Sequence, residues 1–325
     1  MSDRTAQQPF DARSEYEVTW GDKVRQWFDL WVYSPFSIIW DDVRTRISLS
    51  IIALYLLMGT IGVMVVQPPS LNEGPRLVQP FVSLEHPLGT TSFGRDLFAL
   101  IVHSTPAMLK MISSGAVFAT SVAVIMGTVS GYKRGLIDSV VMTITDVAMV
   151  IPGLPLIIVI SIAFPPKNPF MVGIILTINA WAGLARSIRS EVLSIREESY
   201  VEASSIMGIP TSSIIMKDIL PNIMPYVLVN FMQSARSVIF ASVGLYFLGL
   251  LPYTTLNWGV ILNRAYTQGG LTSDSAGHWL VFPILTIGLL TFSLVLFAQG
   301  LDRVFSPRIR ARHSRTVDDQ STELE

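Results

Sequence analysis

Cysteine is absent from the 325-residue chain, which excludes disulfide bonds, thiolate metal sites and a cysteine nucleophile. Charge is also scarce, because charged residues make up 14% of the sequence and hydrophobic residues 50%. A soluble domain carries about 25% charged residues. The net charge of -1 and the scattering of basic residues among loops exclude the basic stripe of a nucleic-acid-binding protein. The composition therefore predicts a protein whose surplus apolar surface faces lipid.

Motifs for catalysis are missing as well. No Gly-Lys dipeptide occurs in the chain, so it lacks a phosphate-binding Walker A loop and any ATP must be bound by another chain. Neither metal-ligand spacing nor a nucleophile paired with a base is visible within the apolar runs. The N-terminal region is charged and interrupted, which is not the pattern of a cleavable signal peptide. We expect a chain that is not an enzyme.

Six apolar segments are long enough to cross a bilayer, which takes about 20 residues of helix. Helices are the expected spanning form because lipid cannot satisfy open backbone groups and the alternation of a barrel is missing. The fold class predicted is an all-α polytopic membrane protein with about six transmembrane helices. The predicted spans are 47–66, 108–131, 140–164, 170–187, 223–250 and 279–300.

The basic residues predict the orientation of these spans. Most of them fall before the first span, in two of the loops or after the last span, all on one side of the membrane. The positive-inside rule places that side, with both termini, in the cytoplasm of a multi-pass plasma-membrane protein. The regions predicted around the spans are a disordered tail at 1–22, a first helix with its exterior loop at 47–107, a core at 108–300 and a cytoplasmic tail at 301–325.

The region 23–46 carries apolar and aromatic side chains at helical spacing. Val24, Trp27, Phe28 and Trp31 share one face of the predicted helix. Indole rings favour the membrane interface, so we expect an N-terminal interfacial amphipathic helix. A soluble core helix is the alternative.

The loop 186–222 has the signals of a helix-turn-helix at the membrane surface. Ser194 and Glu197 form a capping-box pattern that predicts a helix start near Ile195. Gly208 predicts its end. Thr211 or Ser212 can cap a second short helix, which Pro221 is expected to end. The small residues that would let a partner approach closely, with a carboxylate beside them, are Ala203, Ser204, Ser205 and Glu202.

This loop resembles the EAA loop of bacterial and archaeal ABC importer permeases, through Glu202-Ala203-Ser204, Gly208 and Ile219-Leu220-Pro221. More closely, the chain resembles the C-type permease subunit of dipeptide, oligopeptide and nickel importers over about 84–310. The sequence departs from the usual residues of that family at Ser204, Asp218 and Ser242. The further matching residues are His86-Pro87-Leu88-Gly89-Thr90, Gly94-Arg95-Asp96, Asp146, Pro152-Gly153, Trp181, Ala185-Arg186, Arg189, Val192-Leu193, Phe247-Leu248-Gly249, Trp258-Gly259, Asp302-Arg303 and Pro307-Arg308.

The resemblance implies a type I ABC importer permease fold and a role as half of a translocation pathway. It also implies a second permease subunit, two cytoplasmic ATPases that bind ATP and Mg²⁺, and an exterior solute-binding protein. The substrate expected is a di- or oligopeptide, with an oligosaccharide or nickel as alternatives. An ion-coupled secondary transporter is less expected, because inverted repeats and mid-membrane carboxylates are not visible. The residues implied for coupling to the ATPases are Glu202, Ala203, Ser204, Gly208, Leu220 and Pro221.

Several residues within the spans have two open interpretations. Arg236, about 20 Å into the fifth span at helical rise, either lines the substrate pathway or makes a structural ion pair. Ser237 and Ala241 belong to a small-residue stripe that suits either a pore wall or helix packing. Asp146 and the Gly127/Gly131 pair are expected mainly to serve helix packing.

Overall fold

The computed structural model describes residues 42–252, 255–271 and 276–305. The described residues form helices joined by loops and include no β-strand, only an isolated bridge between Thr90 and Asp96. The predicted tail 1–22, nearly all of the predicted interfacial helix 23–46 and most of the predicted tail 301–325 lie outside the described residues.

The helices of the described part are numbered here in chain order, and a π-helical turn interrupts the first of them at Met58–Gly62 and the eighth at Ile215–Ile219. They are α1 Val43–Val65, α2 Leu97–Lys133, α3 Gly135–Val150, α4 Gly153–Ala163, α5 Pro169–Leu176, α6 Trp181–Arg196, α7 Ser199–Ile206, α8 Thr211–Phe247, α9 Trp258–Thr267 and α10 His278–Phe305.

Among the described residues, four helices, α1, α2, α8 and α10, are long and apolar enough to cross a membrane. The number rises to six when each of two bent pairs is taken as one span, α3 with α4 at 88° and α5 with α6 at 61°. Helical spans satisfy every backbone group within the segment, as a bilayer requires. The prediction of an all-α polytopic membrane protein is confirmed.

Two spans begin earlier than the apolar runs predicted. α1 starts at Val43, where the Asp42 carboxylate accepts a hydrogen bond from the Arg44 N–H at 3.0 Å. α2 starts at Leu97 instead of 108, because the Asp96 carboxylate caps it by accepting the Ala99 N–H at 2.7 Å. With 37 residues, α2 is about 55 Å long. This length exceeds the thickness of the hydrocarbon core, about 30 Å. An apolar stretch that matches the bilayer therefore covers only part of α2.

The third and fourth spans are broken, and the two breaks lie against each other. α3 ends before Pro152, which disfavours helical backbone at Ile151, where ψ is 123°. The break between α5 and α6 contains Asn179, whose side-chain N–H donates to the Ile151 carbonyl at 3.1 Å. The break at Pro152-Gly153 thus divides the segment that the apolar run predicts as one span at 140–164.

Close packing of α2 on α6 contributes to a buried apolar cluster in the described part of the chain. A Cβ atom at Gly127 would lie 2.6 Å from the Ala185 carbonyl oxygen, and one at Gly131 would lie 2.9 Å from that of Arg189. Ile188 and Val192 of α6 are fully buried in this contact. The two glycines therefore let the helix backbones approach closely, and the prediction of a packing role is confirmed.

Candidate functional site

The 186–222 segment begins differently from the prediction. The prediction that Ser194 and Glu197 form a capping box at a helix start is wrong. Ser194 lies in the last turn of α6, and its carbonyl accepts the Glu197 N–H at 3.2 Å. α6 is held in place to its end at Arg196, whose guanidinium donates to the Tyr132 carbonyl at 2.7 Å. A new helix, α7, starts at Ser199.

Gly208 ends α7 as predicted. Its φ of +73° places it in the left-handed region, which glycine adopts at little cost. The Ile209 N–H donates to the Ser204 carbonyl at 3.2 Å and the Gly208 N–H to the Ser205 carbonyl at 3.1 Å. These two bonds form a Schellman motif, so the turn is fixed by the backbone.

The exposed surface of α7 differs in part from the predicted one. Glu202 and Ala203 are exposed, whereas Ser204 is buried. Ile206 and Met207, at the end of the helix, are 80% and 70% exposed. Sequence reasoning missed these two apolar side chains, although their position directly before a helix-ending glycine was the available signal.

The prediction that Pro221 ends a second short helix is wrong. α8 begins at Thr211 and continues to Phe247, with Leu220 half-buried and Pro221 exposed. The π-helical turn Ile215–Ile219 lies directly before the proline. Proline is tolerated there because the N–H that it lacks falls where the α-helical bonding has already been shifted.

A hydrogen bond joins α7 to α8. The Asn222 side-chain N–H donates to the Tyr200 hydroxyl oxygen at 3.0 Å. Burial, together with the nearby Glu198 and Asp218 carboxylates, raises the pKa of Tyr200 above its usual value. The hydroxyl therefore stays neutral at physiological pH, and the bond does not depend on a titration in that range.

Arginine–carboxylate pairs tie the 186–222 segment to the end of α2 and to α3. Arg189 donates two hydrogen bonds to Asp138, both at 2.6 Å, and Arg186 pairs with Asp146. This pair joins Asp146 of α3 to α6 and is about half exposed. Arg134 pairs with Glu197 at 2.8 Å in a more exposed position.

A polar cleft of 570 Å³ opens between α7 and the end of α2. It brings together basic side chains from α2 and α6 with the carboxylate of Glu202. Its walls would accept a polar surface of a partner. The lining residues are Tyr132, Lys133, Arg134, Arg196, Glu197, Val201, Glu202, Ser205 and Thr211.

The candidate pathway residues Arg236, Ser237 and Ala241 lie on α8. Arg236 is half-buried, and its side chain forms neither an ion pair nor a hydrogen bond with any residue in the described part of the chain. Ser237 is exposed and donates to the Gln233 carbonyl of its own helix at 3.0 Å. Ala241 is half-buried. The structure therefore provides no intramolecular ion pair for Arg236 among the described residues.

A second cavity, of 680 Å³, lies between α8 and α10. It is rich in carboxamide side chains, which the sequence analysis did not single out. Its lining residues are Asn222, Pro225, Tyr226, Val229, Asn230, Gln233, Val295, Ala298, Gln299 and Asp302.

The segments predicted to lie outside the cell have clear structural roles. Asp96 caps α2, and its carboxylate oxygen lies 2.8 Å from Nδ1 of the His86 imidazole. Asn257 caps α9 by accepting the Val260 N–H at 3.0 Å. Within the described ranges, no group of three or more His, Asp or Glu side chains is arranged to hold a metal ion.

Comparisons with known proteins agree with this geometry. The family described as the binding-protein-dependent transport system inner membrane component matches residues 123–311, from the second half of α2 to beyond α10. The dipeptide transport system permease protein of Bacillus subtilis is 34% identical over 231 residues, 70% of each chain. The oligopeptide transport system permease protein of the same organism is 30% identical, over 70% of this chain and 73% of its own length. The glutathione transport system permease protein of Pectobacterium atrosepticum is 29% identical, over 74% of this chain and 76% of its own length.

Proposed function

Since the chain belongs to the family of binding-protein-dependent transport system inner membrane components, we propose that it forms half of the translocation pathway of an ATP-driven importer of short peptides. The chain is a multi-pass permease subunit of the plasma membrane, and its family is non-catalytic and carries no cofactor of its own. The substrate class rests on relatives named for dipeptides, oligopeptides and glutathione, all of which contain amide bonds.

The observation that carries the coupling role is the exposed end of α7. Ile206 and Met207 are 80% and 70% exposed beside the carboxylate of Glu202. An exposed apolar cluster with a polar rim is typical of a protein interface. The ATPase-coupling element comprises Glu202, Ala203, Ser204, Gly208, Leu220 and Pro221; within it Glu202 and Ala203 contact the ATPase, while Ser204 and Gly208 fix the helix and its turn.

The contacts of α7 supply a route for coupling. When the ATPases bind ATP and close, they displace α7, and the Tyr200–Asn222 bond transfers this movement to α8. The Arg189–Asp138 and Arg134–Glu197 pairs carry it to α3 and α2. Hydrolysis of ATP then reverses the movement and releases the substrate inside.

The complete transporter contains a second permease subunit, two ATPases that hold ATP and Mg²⁺, and an exterior solute-binding protein. Both termini and the 186–222 segment face the cytoplasm, where the ATPases are. The basic residues that support this side include Arg44, Arg46, Lys133 and Arg134, which lie at the ends of α1 and α2.

Arg236, Ser237 and Ala241 line the pathway at the interface with the second permease. A guanidinium in a membrane span requires a polar partner, and the described part of this chain provides none for Arg236. A carboxylate of the passing peptide, or a group of the second permease, therefore meets it.

Co-purification in detergent tests the coupling role. We expect the tagged wild-type chain to retain a second permease and the ATPases, and a Glu202→Ala/Ile206→Ser variant to lose the ATPases while keeping the permease. The matched control is Leu84→Ser/Glu85→Ala, which likewise replaces a branched aliphatic side chain by serine and a glutamate by alanine at exposed positions, on the opposite side of the membrane.

The control variant should retain both partners. If both variants lost the ATPases, the loss would result from general destabilisation and not from the change in α7. If the wild-type chain purified alone and transported substrate in liposomes without ATP, it would be an ion-coupled secondary transporter and not an importer subunit.

A further inference from the structure

The cavity between α8 and α10 carries a polarity that a lipid-facing surface would not. Four of its lining side chains are carboxamides, Asn222, Asn230, Gln233 and Gln299, and this cavity is called the amide cavity below. Burying an uncharged amide in hydrocarbon without a hydrogen-bond partner costs several kcal/mol. The cavity must therefore be filled by water, by protein or by a ligand that forms hydrogen bonds.

The polar residues on the α8 wall of the amide cavity belong to a stripe that continues along the helix to Ser237. Asn222, Tyr226, Asn230, Gln233 and Ser237 follow one another at intervals of three or four residues, which places them on one helix face. All five are exposed or half-buried. From the first to the last, the stripe is about 22 Å long at helical rise.

The hydrogen bonds of these side chains leave much of their capacity open. The Asn230 amide donates one bond, to the Tyr226 carbonyl of the same helix at 2.9 Å. The side chains of Gln233 and Gln299 form no hydrogen bond with any residue in the described part of the chain. A carboxamide has two donors and an acceptor oxygen, so each of these three groups can both give and receive further bonds. The Asn222 amide already donates to the Tyr200 hydroxyl at 3.0 Å and to the Asp218 carbonyl at 2.6 Å, so only its oxygen is open, as an acceptor.

The donors and acceptors of the cavity match those of an extended peptide. Each residue of a peptide presents one N–H and one C=O, and a carboxamide can bond to both. Such bonds do not depend on the side chains of the peptide. Each contributes only about 0.5–1.5 kcal/mol to binding, which suits a site that must also release its ligand. Carboxamides also form hydrogen bonds across packed membrane helices, so a helix of the second permease is the competing occupant, and the accessibility of the cavity to a water-soluble reagent distinguishes it from a peptide.

We propose that the amide cavity binds the backbone of the transported peptide on its way to the cytoplasm, through Asn222, Asn230, Gln233 and Gln299. The carboxylate of Asp302, at the cytoplasmic end of the same cavity, meets the amino terminus of the peptide. The proposal rests on the proposed function and adds to it the groups that recognise peptides regardless of their side chains.

Cysteine labelling tests the proposal, and the cysteine-free chain makes a single substitution sufficient. Val229 lines the cavity without belonging to its polar groups, so Val229→Cys is the reporter. The complete transporter carrying this variant is placed in inside-out vesicles, where a peptide reaches the cavity without the binding protein. The rate of reaction with a water-soluble methanethiosulfonate is then measured with trialanine, with N-methylated trialanine and with maltotriose.

We expect trialanine to slow the labelling about tenfold when present at ten times its dissociation constant, as mass action requires. The N-methylated peptide, which lacks backbone donors, and maltotriose should leave the rate unchanged. Adding Asn230→Leu/Gln233→Leu to the reporter should abolish protection. Leu54→Cys, at an exposed apolar position of α1, is the control that should not react.

Three results would overturn the proposal. If the reporter does not react, the cavity is covered by the second permease. If maltotriose protects as well as trialanine does, the site does not distinguish peptides from sugars. If protection persists in the double leucine variant, the peptide binds elsewhere. If the ATPases still co-purify with the chain in these cases, the importer function stands and only the peptide site is wrong.

Discussion

At the scale of single residues, two arginine–carboxylate pairs of the 186–222 segment differ in exposure. The side chains of Arg189 and Asp138 are 30% and 16% exposed, whereas those of Arg134 and Glu197 are 46% and 73% exposed. Charge-assisted bonds gain strength as water is excluded, while exposed pairs are screened and contribute little. The Arg189–Asp138 pair therefore stabilises the fold more than the Arg134–Glu197 pair does.

Neutralising the carboxylate of each pair tests this difference. We expect Asp138→Asn to lower the free energy of unfolding by about 1–3 kcal/mol, because it removes a charge that accepts two hydrogen bonds. Glu197→Gln should lower it by about 0–1 kcal/mol. Thermal unfolding in detergent compares the two variants. Equal destabilisation would show that the exposure of the pair does not decide its strength.

The residues that the sequence predicted correctly are those whose role follows from local chemistry. Gly208 ends its helix because a positive φ favours glycine, and Gly127 and Gly131 let two helices pack closely because glycine has no Cβ. The capping box at Ser194 and Glu197 failed because the burial of Ile188 and Val192 against α2 stabilises α6 past that point. At this position tertiary packing, and not the local motif, determines where the helix ends, and a single sequence does not reveal such packing.

At the scale of elements, the contact of α2 with α6 depends on glycines that permit close approach. A Cβ at Gly127 would lie 2.6 Å from the Ala185 carbonyl oxygen and 2.8 Å from Ile188 Cβ. Gly183, on α6, has nothing within 4 Å of such a Cβ. The same substitution therefore has opposite consequences at the two positions.

We expect Gly127→Ala to destabilise the chain by about 1–3 kcal/mol through overpacking. Gly183→Ala should be neutral or stabilise it by up to about 1 kcal/mol, because alanine is the better helix former. Thermal unfolding of both variants in detergent measures the effect. If Gly127→Ala proved as stable as the wild type, the close packing of α2 on α6 would be wrong.

The same elements show why span boundaries were harder to predict than span number. An apolar run reports the part of a helix that crosses lipid, so it missed the first turns of α2, which starts at Leu97. The continuation of α8 through Pro221 depends on a π-helical turn, and no residue pattern announces such a turn. The polar stripe on α8, by contrast, was present in the spacing of its residues and required only that the face be followed along the helix.

At the scale of the whole molecule, the importer mechanism requires a fixed orientation in the membrane. α7 must lie in the cytoplasm with the ATPases, and the loop between α1 and α2 must lie outside. Basic residues at the ends of α1 and α2, on the side of α7, favour this arrangement because cytoplasmic loops retain Lys and Arg.

Single cysteines at exposed positions measure the orientation directly, since the chain has none of its own. Leu84 is fully exposed in the loop between α1 and α2, and Ser205 is exposed on α7. We expect a membrane-impermeant maleimide to label Leu84→Cys in intact cells and Ser205→Cys only after the membrane is opened. The reverse pattern would place α7 outside the cell, where no ATPase could reach it, and would remove the physical basis of coupling even though the fold remained the same.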